Sequence, residues 1–495
     1  MNDSLVLTPQ EMAQSDAYTI ETLKLTDYTL MRQAATGLFD YAMQHRLIPQ
    51  TQISILVGLG NNGGDGVVFG EHLVNKGYDV TLFVIGDTTK HSPSLKKALS
   101  ECKNKTTIYS IHAIADLKHR YKSLQSSELI IDALFGTGLK MPLKGIFKTL
   151  VDEINTFNLP VISIDIPSGI NAYNGLALGS AIHATHTFII QHYKTGNLLH
   201  DAADYHGKHH VIDVGIHMPK FAYNRVMPKA QISLKSHLNN THKYQRGVAL
   251  LIGGSASMEG ALIMASSAAL KSGLGLVYSL FDNAKCYHKT VPLEILTHHL
   301  SNPTDVLDHL DRKDVILFGA GLETNRSDYK AVLKKLIDTK KPLLIDAGGL
   351  YYFKAIYEEF DDLSNVLITP HVGELAMMGN QTTHSVLNDP LSAIKPFTSK
   401  QATVLLKGPC SIIATHDTQI YLYAPNPALA KGGSGDILGG LILGFMKHEP
   451  LLDAAKNGAL LHTHSTIAAL NDSVEETFIP SDILKYLPKG INMLK

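Results

Sequence analysis

Short apolar runs recur along this chain, and most of them stop at a glycine or an aspartate. Residues 53–57, 80–85, 129–131, 161–164, 187–190 and 211–214 are such runs, and they alternate with longer stretches of helical periodicity. Several are continuous rather than alternating. A strand that is apolar on both faces must be covered on both faces, and crossover helices do this. The pattern predicts an α/β fold built on a doubly wound, mostly parallel sheet. A second series follows at 248–252, 276–280, 315–318, 343–345, 366–368 and 404–406. Between the two, the chain from Pro219 to about Asn240 is polar and irregular, as a linker is. No repeat relates the series, and 495 residues exceed one ordinary core. Two different α/β domains are expected, over residues 1–222 and 230–495.

The N-terminus adds helices before the first sheet strand. Thr8-Pro9-Gln10-Glu11 combines a cap, a proline in the first turn and a capping-box glutamate. Met31, Ala34, Ala35, Leu38 and Ala42 then recur at helical spacing.

In doubly wound sheets ligands bind beyond the carboxyl ends of the strands. The unusual residues of this chain sit there. In the first half they are 58–66, 132–138 and 165–169. In the second they are 253–255, 319–321, Asp346, Pro370-His371 and Lys407-Gly408. Recurrence at one type of position predicts two binding clefts.

Two loops carry most of the chemistry. Gly58, Gly60 and Gly63 satisfy GxGxxG, the weak mark of a dinucleotide site, and Asp87 ends the next strand where a ribose contact is expected. Asp65 argues against a dehydrogenase, because a carboxylate in that loop repels pyrophosphate. In the second half, Lys431-Gly432-Gly433-Ser434-Gly435-Asp436 precedes an apolar helical stretch. Glycine N–H groups at a helix N-terminus make an anion site. Asp436 there either caps the helix or takes a proton from a substrate hydroxyl during phosphoryl transfer. No GxxxxGK[ST] is present, which argues against a P-loop NTPase.

Composition bears on partners and compartment. Lys plus Arg is 44 and Asp plus Glu is 45, a formal net charge of −1, which gives no reason to expect nucleic acid or an anionic membrane. Cys102, Cys286 and Cys410 lie far apart in the chain, form no disulfide or metal pattern, and fit a reducing, cytoplasmic setting. Met1-Asn2-Asp3-Ser4 opens no signal peptide. The apolar stretch 260–281 holds Lys271 and reads as a buried helix running into a strand. The 25 histidines show no HExxH or comparable spacing.

The run from Gly58 through Asn61, Asn62, Gly63, Gly64 and Asp65 to Gly66 resembles the signature loop of the NAD(P)H-hydrate epimerase family. Asp132-Ala133-Leu134-Phe135-Gly136-Thr137-Gly138 and Ser163-Ile164-Asp165-Ile166-Pro167-Ser168-Gly169 follow in that family's order. The resemblance covers about 220 residues and implies a Rossmann-like domain binding hydrated nicotinamide nucleotide and potassium. It implies Asn62, Asp132 and Ser168 as K+ ligands. On their own, Asp132 reads as a strand-end cap and Ser168 as a turn residue. It implies substrate contacts at Asn61, Asn62, Gly63, Gly64 and Asp65, at Gly136, Thr137, Gly138, Leu139, Lys140, Met141 and Pro142, and at Asp165. Asp165 is the candidate acid/base, serving both loss and return of water at the inverted carbon.

The second half is similar to the NAD(P)H-hydrate dehydratase branch of ribokinase-like proteins. The motifs are His242-Lys243-Tyr244-Gln245-Arg246-Gly247, Gly253-Gly254-Ser255 with Gly260-Ala261, Thr369-Pro370-His371-Val372-Gly373-Glu374, and the loop ending in Asp436. The resemblance implies a ribokinase-like α/β domain with hydrate contacts at Ala261, Gly321, His371 and Asp436. It implies phosphate-donor contacts at Lys407, Gly408, Pro409, Cys410, Ser411 and Gly435. His371 also reads as a strand-end histidine bonded to backbone, and Glu374 as a helix cap or a Mg2+ ligand. The family's Asp-Ala-Asp-Ala-Leu is Asp346-Ala347-Gly348-Gly349-Leu350 here, without the second acid, and its Gly-Pro-Gly is Gly319-Ala320-Gly321.

The order of the halves matches the fused bacterial repair enzyme. The expected function is epimerisation of the R and S hydrates of NADH and NADPH (NADHX and NADPHX). Dehydration of the S form follows, with ADP as phosphoryl donor and Mg2+ in the second domain, Asp436 being the base. A homo-oligomer is expected. The alternative is a ribokinase-type kinase of a vitamin alcohol with a nucleotide-sensing N-terminal domain.

Overall fold

The computed structural model describes residues 3–49, 52–234, 238–282 and 291–495, and Cys286 lies outside them. Its contacts divide the chain into two compact units, Ser4–Ala222 and Tyr223–Lys495.

The first unit is built on a sheet of seven described strands. Their order is Thr107–Ile111, Asp79–Ile85, Gln52–Val57, Leu129–Ala133, Val161–Ile164, His186–Ile190 and Lys208–Ile212, and every neighbouring pair is parallel. The continuous apolar runs are strands buried on both faces. Ile53, Ile55 and Val57 face one cluster with Ala35, Leu38, Val67 and Leu73. Leu56, Phe83 and Ile130 face another with Leu117 and Leu150. From Gln52–Val57 the chain first extends the sheet one way, then returns through Leu129–Ala133 to extend it the other way. At that reversal adjacent loops diverge and open a crevice. Helix Pro9–Leu23 starts on the expected capping box, Thr8 with Glu11. The strand before it, Ser4–Leu7, pairs in parallel with Tyr193–Lys194.

The second unit repeats the principle with other connections. Its described strands run Leu296–His299, Leu276–Phe281, Val248–Gly253, Val315–Phe318, Leu343–Ile345, Val366–Ile368 and Thr403–Leu406, all parallel. Cys410–Ala414 and Thr418–Tyr423 continue the sheet antiparallel, and Asn224–Met227 adds parallel to the latter. Helices Glu259–Lys271, Ser434–Met446, Leu451–Leu470 and Ile483–Leu494 share one large core with the sheet. A Cβ on Gly440 would fall 2.1 Å from the Ala265 carbonyl, so the first two of these helices touch backbone to backbone.

The structure departs from the sequence reading at the sheet margins. Thr107–Ile111, Leu296–His299, Cys410–Ala414 and Thr418–Tyr423 were not expected as strands, and Asn224–Met227 lies inside the stretch read as linker. The strand expected at 211–214 is Lys208–Ile212, because pairing with His186–Ile190 draws Lys208 and His209 into the ladder. Margin strands carry polar residues, and pairing rather than hydrophobic run length defines them. Among the described residues, no helix is long and apolar enough to cross a membrane.

Candidate active sites

In the first unit the crevice at the sheet reversal is a cavity of about 660 Å³. Asn61, Asn62 and Asp65 line it from the loop and helix after Gln52–Val57. Residues Gly136, Thr137, Gly138, Leu139, Lys140 and Met141 line it from the loop after Leu129–Ala133, and Asp165 from the end of Val161–Ile164. These loops meet because Gly58 has no side chain: a Cβ there would lie 1.7 Å from the Leu134 carbonyl oxygen. Gly63 and Gly64 do not line the cavity. They face inward, where a Cβ would fall 2.3 Å from Gly58 O and from Met31 Sδ respectively. Pro142 is outside the lining, and so is Asp87, which caps the turn Thr88–Lys90 through the Thr89 N–H.

Two charged cavity residues were not anticipated from the sequence. Asp16 enters from helix Pro9–Leu23, and Lys194 from the strand that pairs with Ser4–Leu7. Lys194 is 1% exposed, and its Nζ donates to Asp165 Oδ1 and, at 2.8 Å, to the Ile190 carbonyl. The Ile190 N–H donates to the same Asp165 oxygen at 3.2 Å. Asp165 has a φ of 68°, rare for a residue with a side chain. Its backbone is clamped there by its N–H to Phe188 O and by Asn197 Nδ2 to its carbonyl. Nothing local marks Asp16 or Lys194: each comes to the cavity through strand pairing.

The cavity therefore holds three carboxyl groups and one buried ammonium. Burial, then the charges of Asp165 and Asp16, push the Asp65 carboxyl well above its ordinary range. Burial raises Asp16 to about 6, with Lys194 opposing and Asp165 reinforcing the shift.

Asp132 and Ser168 lie together beneath this cavity wall. Asp132 is wholly buried and accepts from Ser163 Oγ at 2.8 Å, Ser168 N at 2.8 Å, Ser168 Oγ at 2.6 Å and Leu134 N at 3.3 Å. These donors carry no charge, and burial outweighs them to raise the carboxyl above its ordinary range. Asn62 lies against Gly136, and its Nδ2 is buried without a partner among the described residues.

In the second unit the glycine loop opens helix Ser434–Met446, with Gly433 at φ 98° as its N-cap. Asp436 stands in the first turn. Burial, then the charge of Asp346, raise its carboxyl to about 6, with Lys407 opposing. Lys407 Nζ lies 3.0 Å from Asp346 Oδ1 and 3.7 Å from Glu374 Oε2. Burial alone would lower this ammonium, but Asp346, Glu374 and Asp436 outweigh burial and hold it above its usual value. A Cβ on Gly435 would be 3.6 Å from Lys407 Nζ and 4.0 Å from Asp346 Oδ2, so the helix N-terminus, the lysine and the two aspartates form one cluster. Lys431 is turned away. Its Nζ donates to the carbonyls of Glu475, Glu476 and Phe478 and staples that loop beside the glycines.

Gly321 and Ala261 are neighbours, a Cβ on the glycine falling 3.0 Å from the alanine Cβ. Ser255 N–H and Oγ both donate to the Gly321 carbonyl, at 2.8 and 2.9 Å. Helix Glu259–Lys271 joins this region to the glycine loop through Met264, which lies against Gly433. His371 caps the turn it precedes: its Nδ1 accepts from Gly373 N at 3.0 Å, while the ring stays exposed. Glu374 completes that capping box, accepting the His371 N–H at 2.7 Å. Gly408 and Pro409 are exposed beyond Lys407, and Ser411 is half-buried on the following strand. The Cys410 side chain points into the core, where burial pushes its thiol far up, so it can offer a ligand only its backbone. At the altered acid motif Ala347 has φ 47° and ψ −122°, and a Cβ on Gly348 would lie 2.0 Å from the Leu322 carbonyl oxygen.

Comparisons with known proteins agree on both halves. The family model described as NAD(P)H-hydrate dehydratase matches residues 249–489, and that described as YjeF-related protein N-terminus matches residues 27–196. The bifunctional NAD(P)H-hydrate repair enzyme Nnr of Moorella thermoacetica is 28% identical over 99% of this chain and 97% of its own length. That of Escherichia coli is 31% identical over 89% of this chain and 85% of its own. Among solved structures, the Bacillus subtilis ADP/ATP-dependent NAD(P)H-hydrate dehydratase co-crystallized with ATP/Mg2+ is 24% identical. It covers 53% of this chain and 95% of its own, with a TM-score of 0.45. The chain belongs to the family of bifunctional NAD(P)H-hydrate repair enzymes.

Proposed function

We propose that the unit Tyr223–Lys495 dehydrates the S hydrates of NADH and NADPH with ADP as donor, giving AMP and phosphate, and that the unit Ser4–Ala222 interconverts the R and S hydrates. The main support is the Asp436 carboxyl in the first helical turn behind Gly433, within one cluster with Lys407 and Asp346. At about 6 it is a carboxylate at neutral pH yet basic enough to accept a proton. It takes the proton of the C6 hydroxyl as that oxygen attacks the terminal phosphoryl group. The O–P bond forms, the bond to the departing AMP breaks, and the N–H groups near Gly433 and Gly435 hold the charge in flight. The ring nitrogen lone pair then expels phosphate from C6, and loss of a proton restores the dihydronicotinamide. Lys407 faces the donor phosphates. ADP rather than ATP is read from the resemblance to the fused bacterial form.

Mg2+ fits as the companion of the nucleotide. Among the described residues no three His, Cys, Asp or Glu side chains form a metal cage, and Mg2+ commonly binds through phosphate oxygens, water and one or two carboxylates. Glu374 and Asp436 are the carboxylates that would face it, and when bound it would neutralise the phosphoryl oxygens.

In the first unit, Asn62, Asp132 and Ser168 would hold K+. Support comes from a wholly buried carboxyl whose donors are all uncharged. Bound there, the ion would neutralise Asp132 and anchor the two substrate loops. Asp165, fixed by Lys194, moves the proton at C6. The proposal places this work in the cytoplasm and in a homo-oligomer.

Mixed hydrates incubated with the full chain, ADP and Mg2+ should recover dihydronicotinamide absorbance. Failure with both ADP and ATP overturns the dehydratase reading, and a stable phosphorylated product would make the second unit a kinase. Replacing K+ by choline should slow R/S exchange and leave dehydration of the S form unchanged.

A further inference from the structure

The N-terminal cavity holds more proton-carrying groups than a one-carboxyl reaction uses. Asp16 is the unabsorbed one. Met12, Ala13 and Asp16 line the cavity from helix Pro9–Leu23, at a spacing that places them on one helical face. Asp165, Ile190 and Lys194 line it from the carboxyl edge of the sheet. The pairing of Ser4–Leu7 with Tyr193–Lys194 fixes the start of this helix relative to the segment that carries Lys194. Asp16 and Asp165 thus enter one cavity from separate walls.

Inversion at C6 requires the hydroxyl to leave one face of the ring and water to return on the other. Asp165 is poorly suited to serve both faces. Its carboxyl is tied to Lys194 Nζ and the Ile190 N–H, and its backbone is clamped at φ 68°. We propose that Asp16 is the second acid/base of the epimerisation, acting on the ring face that Asp165 does not reach. The proposal rests on the epimerase reading of this cavity.

The step balances without another reagent. The Asp16 carboxyl gives its proton to the C6 hydroxyl oxygen. The C6–O bond breaks with the help of the ring nitrogen lone pair, leaving water and an iminium ion. Water adds to the opposite face and gives its proton to the Asp165 carboxylate. One proton has moved from Asp16 to Asp165, and the reverse inversion, or exchange with solvent, returns it.

The surroundings suit that role. The charged and titratable groups facing Asp16 are Asp65, Asp165 and Lys194, with Lys140 also lining the cavity and Asp27 acting through its charge. Three carboxyls against one buried ammonium favour retention of protons. Asp16, held near 6, exchanges its proton readily at neutral pH, whereas Asp65, pushed well above its ordinary range, keeps it.

The test starts from one purified epimer of NADPHX and the full chain without ADP, and follows the other epimer by chromatography. D16N should slow exchange on the order of 100-fold or more. It should still bind NADPH, used as a non-reacting probe, and D16E should recover part of the rate. Urea unfolding of D16N, compared with the wild type, controls for folding. No exchange by the wild type overturns the epimerase reading itself. Wild-type exchange that persists in D16N, or is lost in D65N but not in D16N, overturns the role of Asp16. Where D16N does not fold, the wild-type pH profile decides: an ionisation near 6 supports the proposal, and a rate flat through that region overturns it.

Discussion

The Lys407 ammonium lies 3.0 Å from the Asp346 carboxylate, at the foot of the helix that carries Asp436. A cation paired with Asp346 is held in place by the protein itself. Its partner also bears on the base, because the Asp346 charge is, after burial, the main influence raising the Asp436 carboxyl.

Asp436→Asn removes the base while keeping shape. Dehydration of S-NADPHX should fall on the order of 100- to 10,000-fold, with R/S exchange in the other unit unchanged. Absorbance recovery and epimer chromatography on the same preparation separate the two activities. Equal loss of both would point to misfolding rather than to a base.

The dehydratase rate should depend on pH through this carboxyl. The active form is ionised, so kcat should rise with pH through about 6 and level off above it. In Asp346→Asn the raising charge is gone and Lys407 remains, so the rising limb should move to lower pH. A limb that stays in place, measured at saturating ADP, would show that another group controls it.

Gly440 and Gly435 sit on one helix but should fail differently when changed to alanine. At Gly440 the new Cβ meets the Ala265 carbonyl at 2.1 Å, an overpacking that costs about 1–3 kcal/mol and lowers the melting temperature. At Gly435 the Cβ finds Lys407 Nζ at 3.6 Å, an ordinary contact. That variant should melt like the wild type while KM for ADP rises, because the methyl group stands where phosphate approaches.

Acid should destabilise the first unit through its histidines. His206 is wholly buried, with both ring nitrogens lacking partners among the described residues, and burial holds its pKa far below 6.5. Burial likewise lowers His209 and His210 from 6.5 to about 4. These groups are neutral when folded and take protons when unfolded. Their contribution is complete above about 6.5 and is lost as pH falls toward 4. Urea unfolding of the full chain at several pH values should show this slope, and His206→Phe should flatten part of it.

How much of this could be read from the sequence depends on what sets each feature. Strands buried on both faces announce themselves, and Val161–Ile164, Val315–Phe318, Leu343–Ile345 and Val366–Ile368 stand where the apolar runs stood. Thr107–Ile111 did not, because an edge strand with Tyr109 half-buried and Ser110 exposed has no such run. The hairpin of Cys410–Ala414 and Thr418–Tyr423 was hidden by the turn residues Gly408-Pro409, which read as a ligand loop. In the sites, glycine loops at strand ends are local signals. Asp16 and Lys194 are not, since each reaches the cavity through a partner distant in sequence, and a lone acid on an amphipathic helix reads as a solvated face.

The altered acid motif also bears on how this chain could change in time. Gly348 has a carbonyl 2.0 Å from the place a side chain would start, beside a backbone that Ala347 holds at φ 47°. Placing an aspartate at 348 by a single codon change would force Leu322 or the Ala347 turn to move. An acid at this position is therefore not a neutral step away. Any second carboxylate this cluster acquires would have to arise at another position.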